Sequence, residues 1–305
     1  MKCHSRENWV CDELKILGSS GVSVYAVPIN DHEFALFEGG IGRDSDLLLT
    51  QLAEHGIPLE AIRYWFVSHK HYDHCGMLPY VVPLMPNVEI VASAATIAAW
   101  QSASTRAVIS RLNTDLGVPT LSTDCISLNA MPSRVLDLGV SFVAGAWLTV
   151  VTLAAPGHSP DHVCFYDFQR QRLFTGDCLG ELDPATHQWR PLIFDHAAAY
   201  LETLNTLSRS PVRQIVTAHH GVLTPEGSEN IVADCLEQTQ QCIRKIRQTA
   251  CSEQISEDLH RHWHELSATF VPKSLHRSSM KRMVDLILNM SPDTFDRCPA
   301  STTLA

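Results

Sequence analysis

The chain has 305 residues and a mass of 33.9 kDa, enough for one large domain or two modest ones. Hydrophobic residues make up 45%, which excludes disorder as the dominant state. With 23 basic against 33 acidic side chains the net charge is −10, which disfavours a protein whose main task is binding nucleic acid. No apolar run reaches the ~18 residues of a membrane span and the N-terminus lacks a secretory pattern, so we predict a cytoplasmic protein.

Strand and helix patterns alternate along the first two thirds of the chain. Residues 22–28 and 33–38 are predicted to form a hairpin, and residues 44–55 have helical periodicity. Further strands are predicted at 64–67, 88–92, 147–153, 162–166, 171–175 and 213–217, and helices at 92–115 and 195–208. After about Pro225 the pattern is helical, at 227–249, 253–267 and 276–290. We therefore predict an α/β body over residues 1–225 and a helical cap over 226–305 that packs on it.

Histidine is the informative residue type. The ten cysteines are spread from Cys3 to Cys298 and are expected to be reduced and mostly buried, whereas the 16 histidines are clustered. Directly after the strand at 64–67 stand His69, His71, Asp73 and His74. Two imidazoles two residues apart point to one side of extended backbone, and the next pair falls where the chain turns into a helix. This pattern favours two neighbouring metal ions, the arrangement of two-metal hydrolytic sites.

Other side chains that can bind metal follow three later strands. His158 comes after the strand at 147–153, Asp177 after the strand at 171–175, and the pair His219-His220 after the strand at 213–217. Loops that follow strands on a rigid scaffold are where sites collect, so these segments are expected to meet the histidine motif. By contrast, His260, His262 and His264 alternate on a predicted helix, and we expect them on the surface.

The ordered motifs His-x-His-x-Asp-His, Gly-His, Gly-Asp and His-Gly resemble the metallo-β-lactamase superfamily over about residues 20–225. The resemblance implies an αββα sandwich with a dinuclear centre at one edge. It implies one ion on His69, His71 and His158, a second on Asp73, His74 and a late histidine, and Asp177 as the bridge. The late ligand is either His219 or His220; we choose His220 because the superfamily places its ligand directly before glycine. Asp73 and Asp177 are also expected to take part in catalysis.

Several segments, among them HKHYDHCGMLPY, GHSPDHVCFYD and SLHRSSMKRM, resemble more narrowly the quinolone-signal response proteins. These are thioesterases that act on 2-aminobenzoylacetyl-CoA in alkylquinolone biosynthesis. The resemblance implies iron, although a set of nitrogen and oxygen ligands is equally compatible with manganese or zinc. It also implies substrate contacts from five residues, namely Glu181, Phe194, Ser267, His276 and Ser279. Tyr72, Asp161 and His162 are weaker candidates, for hydrogen bonds to the ligands.

The leading hypothesis is a thioesterase that hydrolyses an aroylacetyl-CoA with a water activated by metal. No Gly-x-Ser-x-Gly nucleophile motif competes with this hypothesis. His71 disfavours a flavodiiron oxygen reductase, and the net charge disfavours a nuclease. The N-terminal pattern disfavours an exported β-lactamase. The alternative is a regulator that docks a LuxR-type transcription factor, with a mainly structural metal site; a homodimer is a further partner hypothesis. Residues 242–247 match the partner-binding helix of the narrower family only loosely.

Overall fold

The computed structural model describes residues 1–4, 13–118, 125–248 and 251–291. Its strands are β1 (Lys2–His4), β2 (Lys15–Gly18), β3 (Ser23–Pro28), β4 (Phe34–Phe37), β5 (Ile62–Phe66), β6 (Glu89–Ser93), β7 (Ser133–Leu136), β8 (Ser141–Val143), β9 (Thr149–Ala154), β10 (Val163–Asp167), β11 (Arg172–Gly176), β12 (Glu181–Asp183), β13 (Gln188–Arg190), β14 (Gln214–Thr217) and β15 (Val222–Thr224). Its helices are α1 (Ser45–Glu54), α2 (Tyr72–Cys75), α3 (Leu78–Val81), α4 (Ala94–Gln101), α5 (Ala103–Asp115), α6 (Ala197–Leu207), α7 (Ile231–Arg247), α8 (Ser252–Ser267) and α9 (Lys273–Leu288).

The longer strands form two mixed sheets. The first has the order β2-β3-β4-β5-β6-β7, antiparallel from β2 to β4 and parallel from β4 to β7. The second has the order β1-β15-β14-β11-β10-β9-β8, in which only β11 and β14 run parallel. The predicted hairpin at residues 22–28 and 33–38 is the antiparallel pair β3–β4.

Three hydrophobic clusters show how the layers stack. Between the sheets, Phe37 stacks on Phe66 and Phe174, with ring centroids 4.6 and 3.7 Å apart. A second cluster packs helices, including α1 and α5, on the outer face of the first sheet, and a third packs α6, α7 and α9 on the second sheet. Each sheet therefore buries one face against the other sheet and one against helices. The predicted αββα sandwich with C-terminal helices is confirmed.

The last helices of the described chain cover part of the sandwich. α8 packs on α9, and α9 contributes Met280, Met283 and Ile287 to the cluster that it shares with α6 and α7. The division into a body of residues 1–225 and a cap of 226–305 stays a prediction, and residues 292–305 lie outside the described part of the chain. Among the helices that the structure describes, none has the length and apolar character needed to span a bilayer.

Candidate metal centre

Side chains that follow four strands meet at one edge of the sandwich. His69 and His71 lie between β5 and α2, and Asp73 and His74 lie in α2 itself. Asp177 follows β11, and the parallel pairing of β11 with β14 brings it beside the turn that follows β14. His158 comes from the loop between β9 and β10, and His219 from the turn after β14. Ligand-type residues up to 150 positions apart in the sequence are thereby gathered in space.

These residues form two groups whose nitrogen and oxygen atoms lie within 4.8 Å of one another. Both groups could hold a metal ion, and we call them the first ligand group (His69, His71, His158 and Asp177) and the second ligand group (Asp73, His74, Asp177 and His219). Asp177 belongs to both, with Oδ2 3.3 Å from His158 Nε2 and 3.2 Å from His74 Nε2, and Oδ1 3.2 Å from His219 Nε2. A carboxylate in this position can bridge two ions.

In four of the imidazoles, Nδ1 lies within hydrogen-bond distance of another protein group. His158 Nδ1 donates to the Leu192 carbonyl at 2.8 Å, and His219 Nδ1 donates to the Gly21 carbonyl at 2.7 Å. His74 Nδ1 lies 2.7 Å from a Glu38 carboxylate oxygen, and His69 Nδ1 lies 3.0 Å from the Ser68 hydroxyl. A hydrogen bond at Nδ1 fixes the tautomer and leaves the Nε2 lone pair for a metal.

Glu38, which was not predicted from the sequence, contacts a histidine of the second ligand group. Its carboxylate accepts hydrogen bonds from His74 and from the Ser68 hydroxyl, and its own backbone carbonyl accepts one from the Trp65 indole. The residue is buried and has a φ of 65°, a left-handed conformation that costs free energy in a non-glycine residue. The available signal was a carboxylate at the end of β4, directly before Gly39-Gly40.

Buried polar atoms without hydrogen-bond partners make the site suitable for divalent ions. His69 Nε2, His74 Nε2 and Asp177 Oδ1 are buried and have no hydrogen-bond partner. Buried polar atoms without partners are costly in a folded protein, and a cation at their meeting point would satisfy them. Burial also lowers the pKa of His71 and His158 to about 4, which keeps these imidazoles in the neutral form that binds metal.

The structure favours a different histidine as the last candidate ligand from the one chosen on sequence. His219, rather than His220, joins the second ligand group, while His220 Nε2 lies 4.0 Å from Glu181 and belongs to neither group. The tight turn over residues 217–221 is closed by a backbone hydrogen bond from Thr217 to Gly221. His220 occupies a left-handed position in it, with a φ of 68°, so the two histidine side chains leave the turn in different directions.

The supporting candidates also have defined positions. His162 Nε2 accepts a hydrogen bond from the Asp177 backbone N–H at 2.9 Å. Asp161 accepts from the Lys70 backbone N–H, from the Lys70 ammonium and from the Thr96 hydroxyl. The His162 contact supports Asp177 directly, whereas Asp161 holds the backbone of the histidine motif.

A cavity of about 330 Å³ opens onto both ligand groups. The five residues that the sequence assigned to substrate binding all line it: Glu181, Phe194, Ser267, His276 and Ser279. Most of the remaining wall is apolar and includes Leu112, Leu192 and Leu275. Burial raises the pKa of Glu181 to about 7, so its carboxyl group can carry a proton near neutral pH.

The histidines of α8 do not all lie where the sequence suggested. His262 is exposed as expected, but His260 is buried with 2% exposure, which contradicts the surface assignment. Its Nδ1 lies 2.9 Å from Nδ1 of His276 on α9, and His264 donates to the Val271 carbonyl. The pairing of α8 with α9, which helical spacing alone does not reveal, buries this face.

Comparisons with known proteins agree with this fold. Residues 17–219 match the family model of the metallo-beta-lactamase superfamily, more than half of the chain. The chain belongs to the metallo-beta-lactamase superfamily.

Two curated relatives are named as thioesterases. The chain is 27% identical over 219 residues to the atrochrysone carboxyl ACP thioesterase of Emericella nidulans, covering 69% of this chain and 56% of that protein. It is 25% identical over 248 residues to the atrochrysone carboxyl ACP thioesterase AacuM of Aspergillus aculeatus, covering 76% and 64%. The chain thus spans less than two thirds of the length of these relatives.

Solved structures share the fold. A metallo-beta-lactamase family protein from Thermus thermophilus aligns with a TM-score of 0.62 at 19% identity, covering 91% of this chain and 94% of that one. An archaeal superfamily protein from Sulfolobus tokodaii gives the same TM-score of 0.62 at 15% identity, covering 89% and 99%. The fold of these proteins therefore extends over most of this chain. The narrower resemblance to quinolone-signal response proteins stays a prediction.

Proposed function

We propose that this protein is a metal-dependent hydrolase that cleaves thioesters carrying an apolar acyl group. The observation that supports this most is the position of Asp177, which is shared by two ligand groups and faces a largely apolar cavity of about 330 Å³. A cavity of this size with a few polar groups is typical of small-molecule sites. The names of the two thioesterase relatives favour a thioester over other substrates of the superfamily.

The two ligand groups would each hold one divalent ion, with Asp177 as the bridge. When bound, such ions supply Lewis acidity, which polarises a carbonyl and lowers the pKa of water. The donors are imidazole nitrogens and carboxylate oxygens, a set that suits iron, manganese or zinc. Iron is our choice, on the narrower sequence resemblance.

The residues of the cavity have separate tasks in this proposal. Phe194 and the neighbouring leucines bind the acyl group by excluding water. Glu181, with a pKa of about 7, can donate a hydrogen bond from its protonated carboxyl group to a substrate oxygen. Ser267 is buried with 1% exposure, and its hydroxyl has no partner, so it is free to bind a polar atom of the acyl chain. A thiol leaving group with a pKa of about 8.5 needs no strong general acid.

The finer proposal is that the substrate is 2-aminobenzoylacetyl-CoA or a similar aroylacetyl-CoA, used in alkylquinolone biosynthesis. The sequence resemblance supports this choice, and the apolar wall with its few polar groups is compatible with an aryl acyl chain. A LuxR-type transcription factor and a second copy of the chain stay predicted partners.

The decisive experiment measures free thiol released from a panel of CoA and carrier-protein thioesters by protein of known metal content. We expect 2-aminobenzoylacetyl-CoA to be cleaved faster than acetyl-CoA, and Asp177→Asn to lose both metal and most turnover. Asp285→Asn, at an exposed position on α9, is the matched control and should retain both. Absence of thiol release from every thioester by fully loaded protein, or faster hydrolysis of a β-lactam, would overturn the proposal.

A further inference from the structure

The loop between α8 and α9, residues 268–272, reaches from the cap to the metal centre. Its Phe270 is 2% exposed and stacks on the imidazole of His219, with ring centroids 4.5 Å apart and an angle of 11° between the planes. No other aromatic side chain among the described residues stacks so nearly parallel on a ring of either ligand group. The face of His219 is thereby defined by a residue that lies about fifty positions later in the sequence.

Three contacts hold this loop on the body. The Tyr72 hydroxyl donates to the Phe270 carbonyl at 2.5 Å, and the Arg43 guanidinium donates to the Thr269 carbonyl at 2.9 Å. Gly21 packs so closely that an added Cβ would lie 2.9 Å from a ring carbon of Phe270. These contacts come from three separate segments of the body, so the position of Phe270 is fixed from several sides.

Gly21 links the same loop to the ligand a second time. Its carbonyl accepts the hydrogen bond from His219 Nδ1 at 2.7 Å, which aims Nε2 at the carboxylates of Asp73 and Asp177. The ring of His219 is thus held at its nitrogen by Gly21 and across its face by Phe270. A hydrogen bond at Nδ1 alone would leave rotation about that bond less restricted.

We propose that Phe270 is a positioning residue for the metal centre: by stacking on His219 it makes the affinity of the second ligand group for its ion depend on the cap. The inference rests on the metal sites of the proposed function. It does not depend on which substrate is cleaved. The first ligand group has no contact of this kind with the described loop. Loss of the stacking should therefore weaken one ion and spare the other.

The test is a chelator titration of fully loaded protein that resolves the release of the two ions, without any substrate. Phe270→Leu keeps an apolar side chain and removes the ring, and we expect it to weaken the second ion roughly 10- to 100-fold, the range seen when support of a ligand is removed. The control is Phe168→Leu, which changes a side chain with 61% exposure and should leave both affinities unchanged. Gly21→Ala retains the phenyl ring but forces it to shift, and it should also weaken the second ion.

A spectroscopic readout separates positioning from general destabilisation. In cobalt-substituted protein, Phe270→Leu should alter the visible absorption of the second ion and leave that of the first ion unchanged, although loss of a buried ring will lower the thermal midpoint of the metal-free protein somewhat. Unchanged affinity and spectrum would overturn the inference. Equal weakening of both ions, together with a lower thermal midpoint, would also overturn it, because the loop would then act on stability alone. Failure to hydrolyse thioesters would count against the proposed function and leave these measurements unaffected.

Discussion

Substitution of Ser279 by tryptophan tests whether the cavity under α9 holds the acyl group. Ser279 lines the cavity together with Leu275 and His276, on the face of α9 that looks toward the metal ligands. The larger side chain should prevent the acyl group from binding and leave the metal content unchanged. We expect Ser279→Trp to retain both ions and to lose most turnover of aryl thioesters.

The size of the effect follows from the volume of the cavity. Tryptophan exceeds serine by roughly 140 Å³, close to two fifths of the ~330 Å³ available to the acyl group. An acyl chain excluded from that volume would leave about four methylene-sized groups unburied, which at ~0.8 kcal/mol each costs ~3 kcal/mol. At about 1.36 kcal/mol for each factor of ten, kcat/KM should fall on the order of 100-fold. A short acetyl group, which does not fill the cavity, should be affected much less.

The assay is thiol release at several concentrations of an aryl and an acetyl thioester, with metal content measured on the same samples. Ser278→Trp is the matched control because its neighbouring side chain is exposed and does not line the cavity. If Ser279→Trp and Ser278→Trp both keep aryl turnover within about twofold of wild type, the acyl group does not bind under α9 and the reasoning is refuted.

Three further predictions concern the histidines and the residue that supports one of them. His219→Ala should release an ion whereas His220→Ala should keep both, as elemental analysis would show; the reverse result would restore the choice made from sequence. Glu38→Gln removes the charge that His74 contacts, and chelator competition should reveal a loss of metal affinity of about 10- to 100-fold. Burial lowers the pKa of His276 from 6.5 to about 3. Between these pH values the unfolded chain binds more protons than the folded chain, so the free energy of unfolding falls as the pH drops through this range. In urea unfolding of metal-free protein, His276→Asn should reduce the slope of the free energy of unfolding against pH. One group can contribute at most about 1.4 kcal/mol per pH unit to that slope. An unchanged slope would contradict the lowered pKa of His276.

The main strands and the histidine motif were predictable because they carry strong local signals. The apolar run at residues 64–67 ends at the site, and β5 is found at Ile62–Phe66. β7 and β8 were missed because they lie at the edges of the two sheets and have mostly exposed side chains without a clear alternation. The helical region predicted over residues 92–115 is divided into α4 and α5, because Ser102 leaves the helical conformation and its hydroxyl caps α5 by accepting a hydrogen bond from the Thr105 backbone N–H.

The parts of the site that could not be predicted depend on backbone conformation and on distant contacts. Residue type does not show whether His219 or His220 is the candidate ligand, because both are histidines. The left-handed φ of His220 decides which side chain faces the carboxylates. The carbonyls of Gly21 and Leu192, which bind ligand imidazoles, have no signature in a sequence. Phe270 has the sequence character of an ordinary core residue, and only the structure shows its ring stacked on His219, a candidate ligand.

The pairing of β1 with β15 has a consequence for how the protein folds. Lys2 lies opposite Thr224, and His4 binds the Thr224 side chain across 220 positions of sequence. Closing so long a loop is entropically costly, and topologies rich in such pairings fold slowly. Among the strands that the structure describes, β1 pairs with β15 alone, so during synthesis this pairing must wait until more than two hundred residues have left the ribosome, and His219 emerges at nearly the same moment. We therefore expect the nascent chain to complete its ion-binding set only as this edge of the sheet closes, so that acquisition of metal is a late event in biogenesis.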